Sequence, residues 1–281
     1  MAISECDTIQ AKKVFKKKGT CSRTFAYLLD KEFGNLQDNY ELATDPLAGG
    51  IMRKGQQCGM LWGSALAIGA EAYTRTKDIN KAMNLALSAT QRMMDSFTNK
   101  TQTVNCREIT GCNMDSFFGM SKYMLKVMLK GMENSKCFNL AEDWAPDAIQ
   151  SAKEGLNNND FEQHSNFINC ASLVAENLGA TAKEKVMVSG FAGGMGLRGH
   201  GCGALAAAIW MNSLAWAEDN PGKSAFNNSL AKNTLKRFYK ETNSKILCSK
   251  ICGRKFASVK NHSKFIKEGG CKSIIKTLSQ Y

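Results

Sequence analysis

Apolar residues recur three and four positions apart along most of this chain, and almost no stretch alternates with period two, so the pattern predicts helices throughout. Residues 21–34 place Phe25, Leu28 and Leu29 on one face and then reach Gly34, which reads as an amphipathic helix stopped by glycine. Residues 170–179 repeat that outline and end at Gly179. Residues 61–70 and 205–214 are apolar or small on every side, lack proline and exceed ordinary strand length, so each predicts a buried helix. Amphipathic segments follow at 79–97 and 224–239. Cys137 and Cys271 each open a last helix, the first of them running toward Gly155, and residues 1–20 form a basic lead-in with one short helix. The asparagine-rich stretch 157–160 is the expected linker.

These predicted elements come in two matching sets. Ala48, Gly49, Gly50, Gly55, Cys58 and Gly59 recur as Ala192, Gly193, Gly194, Gly199, Cys202 and Gly203, a shift of 144 residues, and Lys54 becomes Arg198. Cys106 and Cys248 differ by 142. Each half thus carries the same ordered quartet: Cys21, Cys58, Cys106 and Cys137, then Cys170, Cys202, Cys248 and Cys271. Cys112 and Cys252 do not match at that shift, and Cys6 has no counterpart. The fold expected is all-α, with two tandem-duplicated helical bundle units, residues 1–155 and 156–281, related by a pseudo-twofold.

Composition narrows the function classes. No run of 18 apolar residues occurs, so no membrane span is expected, and the start lacks the apolar core of a secretory signal. A cytoplasmic location is the expectation. There, eleven cysteines point to metal or redox chemistry rather than to a disulfide framework. The net charge is +12, and residues 245–281 hold nine basic residues against the single acid Glu268. Such a surface suits an acidic protein partner. Charge alone does not make a nucleic-acid binder, and no nucleic-acid motif is present; neither nucleic acid nor membrane is expected as a partner, and a homo-oligomer is left open.

The glycine loops add chemistry. Cys58 and Cys202 fall in the first turn of a predicted helix, where unpaired N–H groups favour the thiolate, the form that attacks and that binds metal. Gly50, Gly55 and Gly59, with Gly194, Gly199 and Gly203, let backbone approach a bound group, so they are the candidate cofactor-binding positions. The competing reading gives glycine and alanine only a helix-packing role, with cysteine as a small buried hydrophobe. His200 lies near Cys202, but its counterpart is Gln56, so it reads as a loop residue; His164 and His262 read as surface positions. Met120, Met124 and Met128 read as core. The Lys-Ser/Thr of a phosphate-binding loop is missing, no carboxylate pair stands out, and no catalytic substrate can be inferred.

With these residues assembled, the chain resembles the redox-active family named for its motif, C_GCAxxG_C_C, over nearly all of both units. Each copy departs once: Met60 stands where the motif has alanine, and Ala207 where it has the final glycine. The resemblance implies a redox or metal role, and a related domain in split-Soret cytochromes is associated with an iron centre resembling [2Fe–2S]. Those cytochromes also carry covalent haem, for which this chain lacks the Cys-x-x-Cys-His motif. The leading expectation is one iron–sulfur cluster per unit, [2Fe–2S] above all, serving electron transfer with a donor or acceptor protein. The ligands would be Cys21, Cys58, Cys106 and Cys137, then Cys170, Cys202, Cys248 and Cys271, with Cys112 and Cys252 as substitutes for the last of each set. The alternatives are thiol–disulfide chemistry without a cofactor and binding of zinc or another soft metal.

Overall fold

The computed structural model describes residues 10–158, 160, 161 and 163–280; Cys6 lies outside them. Fifteen α-helices occur among the described residues, and no strand. In the first half they are α1 (Ala11–Lys18), α2 (Cys21–Phe33), α3 (Asp38–Leu42), α4 (Gly59–Arg75), α5 (Ile79–Thr101), α6 (Cys106–Thr110), α7 (Phe117–Lys130) and α8 (Lys136–Asn157). In the second they are α9 (Cys170–Asn177), α10 (Ala182–Met187), α11 (Gly203–Asp219), α12 (Ser229–Thr242), α13 (Cys248–Cys252), α14 (Val259–Lys267) and α15 (Lys272–Leu278). The 3-10 turns Asp45–Leu47 and Ser189–Phe191, which lead into the glycine loops, are also 144 residues apart.

Local sequence sets the helix ends. Thr20, Asp78, Ser135, Asn169 and Asn228 each cap the following helix by accepting a backbone N–H in its first turn. Thr181 and Glu184 form a reciprocal capping box on α10. Gly34 closes α2 with φ of 75°, a conformation that favours glycine. Only the segment expected as a helix over 224–239 starts late, because Ser224–Asn228 makes a 3-10 turn before Asn228 caps α12. The first unit's last helix runs past residue 155 to Asn157.

The central helices α4 and α11 are buried along most of their length. Close helix approach explains Gly63: a Cβ there would sit 2.0 Å from the carbonyl oxygen of Ser22 on α2. The halves do not keep separate cores. Trp62 of α4 meets Phe191 edge to face at 4.8 Å, Trp210 of α11 donates to the carbonyl of Tyr40 at 3.2 Å, and Gly69 presses on Met187 of α10. One continuous apolar core runs through both units.

The methionines of α7 depart from the expectation. Met124 is half exposed, Met128 is 78 % exposed, and seven of the eight large apolar side chains exposed among the described residues lie between Phe117 and Met132. Helical spacing was real, but the face it marks points away from the core. Part of the basic lead-in is neutralised, since Lys16 pairs with Glu133 and Lys18 with the buried Glu41. No helix among the described residues is long and apolar enough to cross a membrane.

Candidate functional site

Every member of both predicted quartets sits where a helix begins. Cys21, Cys106, Cys170 and Cys248 are first residues of α2, α6, α9 and α13. Cys58, Cys202 and Cys271 are N-caps of α4, α11 and α15, and Cys137 is the second residue of α8. Helix starts carry unpaired N–H groups and the positive end of the peptide dipoles, so cysteines held there are in surroundings that favour negative sulfur.

Short backbone bridges bring distant cysteines together. Cys58 donates its N–H to Val104 at 2.8 Å and Cys106 donates to Gln56 at 2.7 Å, closing the antiparallel bridge between Gln57 and Asn105. In the second half Cys202 donates to Ile246 at 2.8 Å and Cys248 to His200 at 2.6 Å, around the bridge between Gly201 and Leu247. This makes adjacent cysteines of residues more than forty positions apart in sequence.

The glycine loops press on the same places. A Cβ on Gly59 would lie 2.5 Å from Cys21 Sγ, one on Gly194 2.8 Å from Cys248 Cβ, and one on Gly203 1.8 Å from the Phe191 carbonyl oxygen. Gly50 abuts Gln56, Gly55 abuts Arg107 and Gly199 abuts Lys255 and Ser249. All six candidate glycines therefore answer to contacts within the chain. Two others, missed in the sequence, bear directly on sulfur: the N–H of Gly49 donates to Cys21 and that of Gly193 to Cys170, again 144 apart. Their signal was present in the paired glycines of both loops.

In the first half Cys58 donates to Cys21, which lowers the Cys21 pKa and, together with burial, raises that of Cys58. Burial also raises Cys106 and pushes Cys137 up to about 12, and the charges of Cys21, Cys137 and Cys112 act on Cys106 in the same direction. Cys21 and Cys58 are thus in contact, the charges of Cys106 and Cys137 also act on Cys58, Tyr123 donates to Cys137 at 3.8 Å and Lys126 donates to Cys112 at 3.6 Å.

In the second half Cys170, Cys202, Cys248, Cys252 and Cys271 line a single pocket with Gly203, Phe256, His262 and Phe265. Cys252 lies 3.9 Å from Cys248 and 3.6 Å from Cys271, sulfur to sulfur. Bonds from both neighbours pull its pKa down to about 4, while the same bonds and burial raise Cys248 and Cys271. Burial pushes Cys170 up to about 11 and Cys202 up to about 12, against N–H groups of Leu205 and Ala204 that favour the Cys202 thiolate. The helix start favours the thiolate but does not prevail at either position: the bond donated to Cys21, together with burial, raises Cys58, and burial raises Cys202.

His262 was expected at the surface and is instead 1 % exposed. Its ring packs edge to face on Phe256 at 4.8 Å, burial lowers its pKa to about 4, and its Nδ1 has no hydrogen-bond partner. His164 is half buried, and His200 remains a loop residue whose pKa is lowered by burial and by Lys255 and Arg198.

Residues 20–176 and 168–281 each match the model of one family, described as "Putative redox-active protein (C_GCAxxG_C_C)". The chain belongs to this family. It carries two tandem copies of the C_GCAxxG_C_C unit. No curated protein and no solved structure matched it.

The donor set of each C_GCAxxG_C_C unit, thiols with a backbone N–H group beside one of them, suits a soft metal or an iron–sulfur group, and in the second unit the thiols line one apolar pocket. The two sulfur separations around Cys252 bracket the edge of a tetrahedron with metal–sulfur bonds of about 2.3 Å, which is about 3.8 Å. Among the described residues no three Cys, His, Asp or Glu side chains are yet drawn together closely enough to grip one metal ion. Free thiols repel one another on ionisation, and a cation removes that repulsion.

Proposed function

We propose that each unit holds an iron–sulfur centre, a [2Fe–2S] cluster, and that the protein passes electrons. The ligands in this reading are Cys21, Cys58, Cys106 and Cys137 in one half, and Cys170, Cys202, Cys248 and Cys271 in the other. The observation that supports it is that every quartet cysteine lies at a helix start and that the second quartet lines one pocket. A bound cluster would supply one-electron chemistry. The chain's own part is to present four thiolates, to exclude water by burial, and to hold negative charge on sulfur with the N–H groups of Gly49 and Gly193.

The two units are taken to be related by a local twofold. Two contacts support this: Gln57 with Gly201 and Tyr40 with Glu184, at 2.9 and 3.1 Å, each join positions 144 apart. A residue meets its own counterpart only near such an axis. The charge of +12 favours an acidic electron donor or acceptor as the partner.

The position of Cys252, within 4 Å of two other sulfurs, favours a second reading in which thiol–disulfide exchange replaces a metal centre. Anaerobically purified protein separates the two. Visible absorbance with equimolar iron and sulfide, halved by Cys58→Ala or by Cys202→Ala, is the expected result. Zinc alone makes the site a soft-metal site without electron transfer, and a colourless protein with one reversible disulfide establishes the second reading.

A further inference from the structure

The first unit, residues 1–155, contains no histidine, whereas in the second unit His262 shares a pocket with five sulfurs. Its ring is held by Phe256 and buried, which would account equally for a phenylalanine there. What packing does not account for is Nδ1, a buried polar nitrogen without a partner. Leaving such a group unpaired costs about 1–3 kcal/mol. The first unit has no comparable nitrogen donor: Tyr123 and Lys126 of α7 reach its sulfurs instead, and both are donors of hydrogen bonds to thiolate rather than neutral metal ligands.

We propose that the two units bind chemically different centres: sulfur only in the first, and sulfur together with His262 Nδ1 in the second. The inference rests on metal binding at the cysteine pockets and adds the ligand that distinguishes them. A neutral imidazole replacing one thiolate lowers the negative charge of the second centre and raises its reduction potential relative to the first. Electrons entering the first unit would then have a lower-energy resting place in the second. The quartet cysteine that His262 replaces is left uncoordinated beside Cys252, the fifth sulfur of the pocket.

The test uses the full chain, reduced and metal-free, with cobalt(II) as the probe. In the Cys58→Ala background, where the first centre is silenced, the remaining site should take one cobalt with a mixed nitrogen–sulfur spectrum. His262→Phe keeps the packing on Phe256 and should weaken cobalt binding about 10-fold or more while moving the bands to those of a pure thiolate set. His262→Cys should restore affinity with the pure-thiolate bands. An unchanged spectrum and affinity in His262→Phe overturns the proposal while leaving the cysteine sites intact; absence of cobalt binding in the parent chain overturns the metal reading itself. Pulsed EPR on the parent chain labelled with 15N-histidine gives the answer without any substitution at position 262: a directly coordinated imidazole couples to the cobalt spin, and no coupling refutes ligation.

Discussion

Gln57 accepts a hydrogen bond from the backbone N–H of Gly201 at 2.9 Å, and the two residues occupy the same place in the two repeats. Gln57 is fully buried, and its amide also reaches toward the carbonyls of Gly194 and Gly201 at 3.4 and 3.5 Å. One side chain thereby ties together the loops that present Cys58 and Cys202. In the second repeat glycine replaces it, because the space is already filled: a Cβ at 201 would lie 2.6 Å from Gln57 Oε1.

Replacing Gln57 by leucine leaves the Gly201 N–H buried without a partner. The expected cost is about 1–3 kcal/mol, read as a lower denaturant midpoint at unchanged slope. Because Gly201 precedes Cys202, metal uptake should weaken in both halves, whereas Cys58→Ala should affect one. A full-strength second site in Gln57→Leu would show that the loops are held independently.

The Cys-Gly pairs should respond unequally to alanine. At Gly203 the new Cβ meets the backbone of Phe191 at 1.8 Å, which cannot swing aside, so overpacking of about 1–3 kcal/mol or more is expected in thermal melts. At Gly59 it meets the Cys21 sulfur at 2.5 Å, a side-chain atom, so a smaller stability loss should accompany altered metal binding in the first half. Gly179→Ala, with φ of 83° and open space around it, isolates the cost of backbone conformation alone.

Asp30 is buried, one of its carboxylate oxygens is unpaired, and burial raises its pKa from 3.8 to about 7, opposed in part by Lys183. Between those values the folded chain binds the proton more tightly than the unfolded one. Stability should therefore fall as pH rises from about 4 to about 7 and the penalty be complete above that. Asp30→Asn should raise the melting temperature at pH 8, by an amount corresponding to roughly 1–3 kcal/mol, and give no gain near pH 4.

In the metal-free protein Cys252 is the partly exposed sulfur whose pKa is drawn down to about 4, while Cys248 and Cys271 beside it are raised. Limited alkylation at pH 6 followed by peptide mapping should label Cys252 first in the second half. Preferential labelling of Cys202 would contradict the dominance of burial there. Metal loading should protect the ligating cysteines and leave Cys252 accessible to the reagent.

The helices, their glycine stops and the duplication were legible because each is written in local sequence: period, caps and a 144-residue echo. The quartets were legible as sequence order, and their gathering at helix starts follows that order closely. Met124 and Met128 were misplaced because spacing identifies a helix face without saying which side the core lies on. His262 was misplaced for the opposite reason. It stands among Lys260, Asn261, Ser263 and Lys264, polar neighbours that mark a surface helix, yet α14 turns this one ring inward against Phe256.

By itself the sequence determined an all-helical chain of two similar units, a pair of glycine loops ending in Cys-Gly, and the thiol chemistry those residues allow. Tertiary structure alone decided that the units share one core, that Gln57 reaches across to Gly201, and that His262 lines the pocket of the second set of sulfurs. The division has a physical cause. Helix propensity, capping and repetition act between residues close in the chain, whereas burial and the meeting of distant sulfurs depend on how helices pack, which no local pattern encodes.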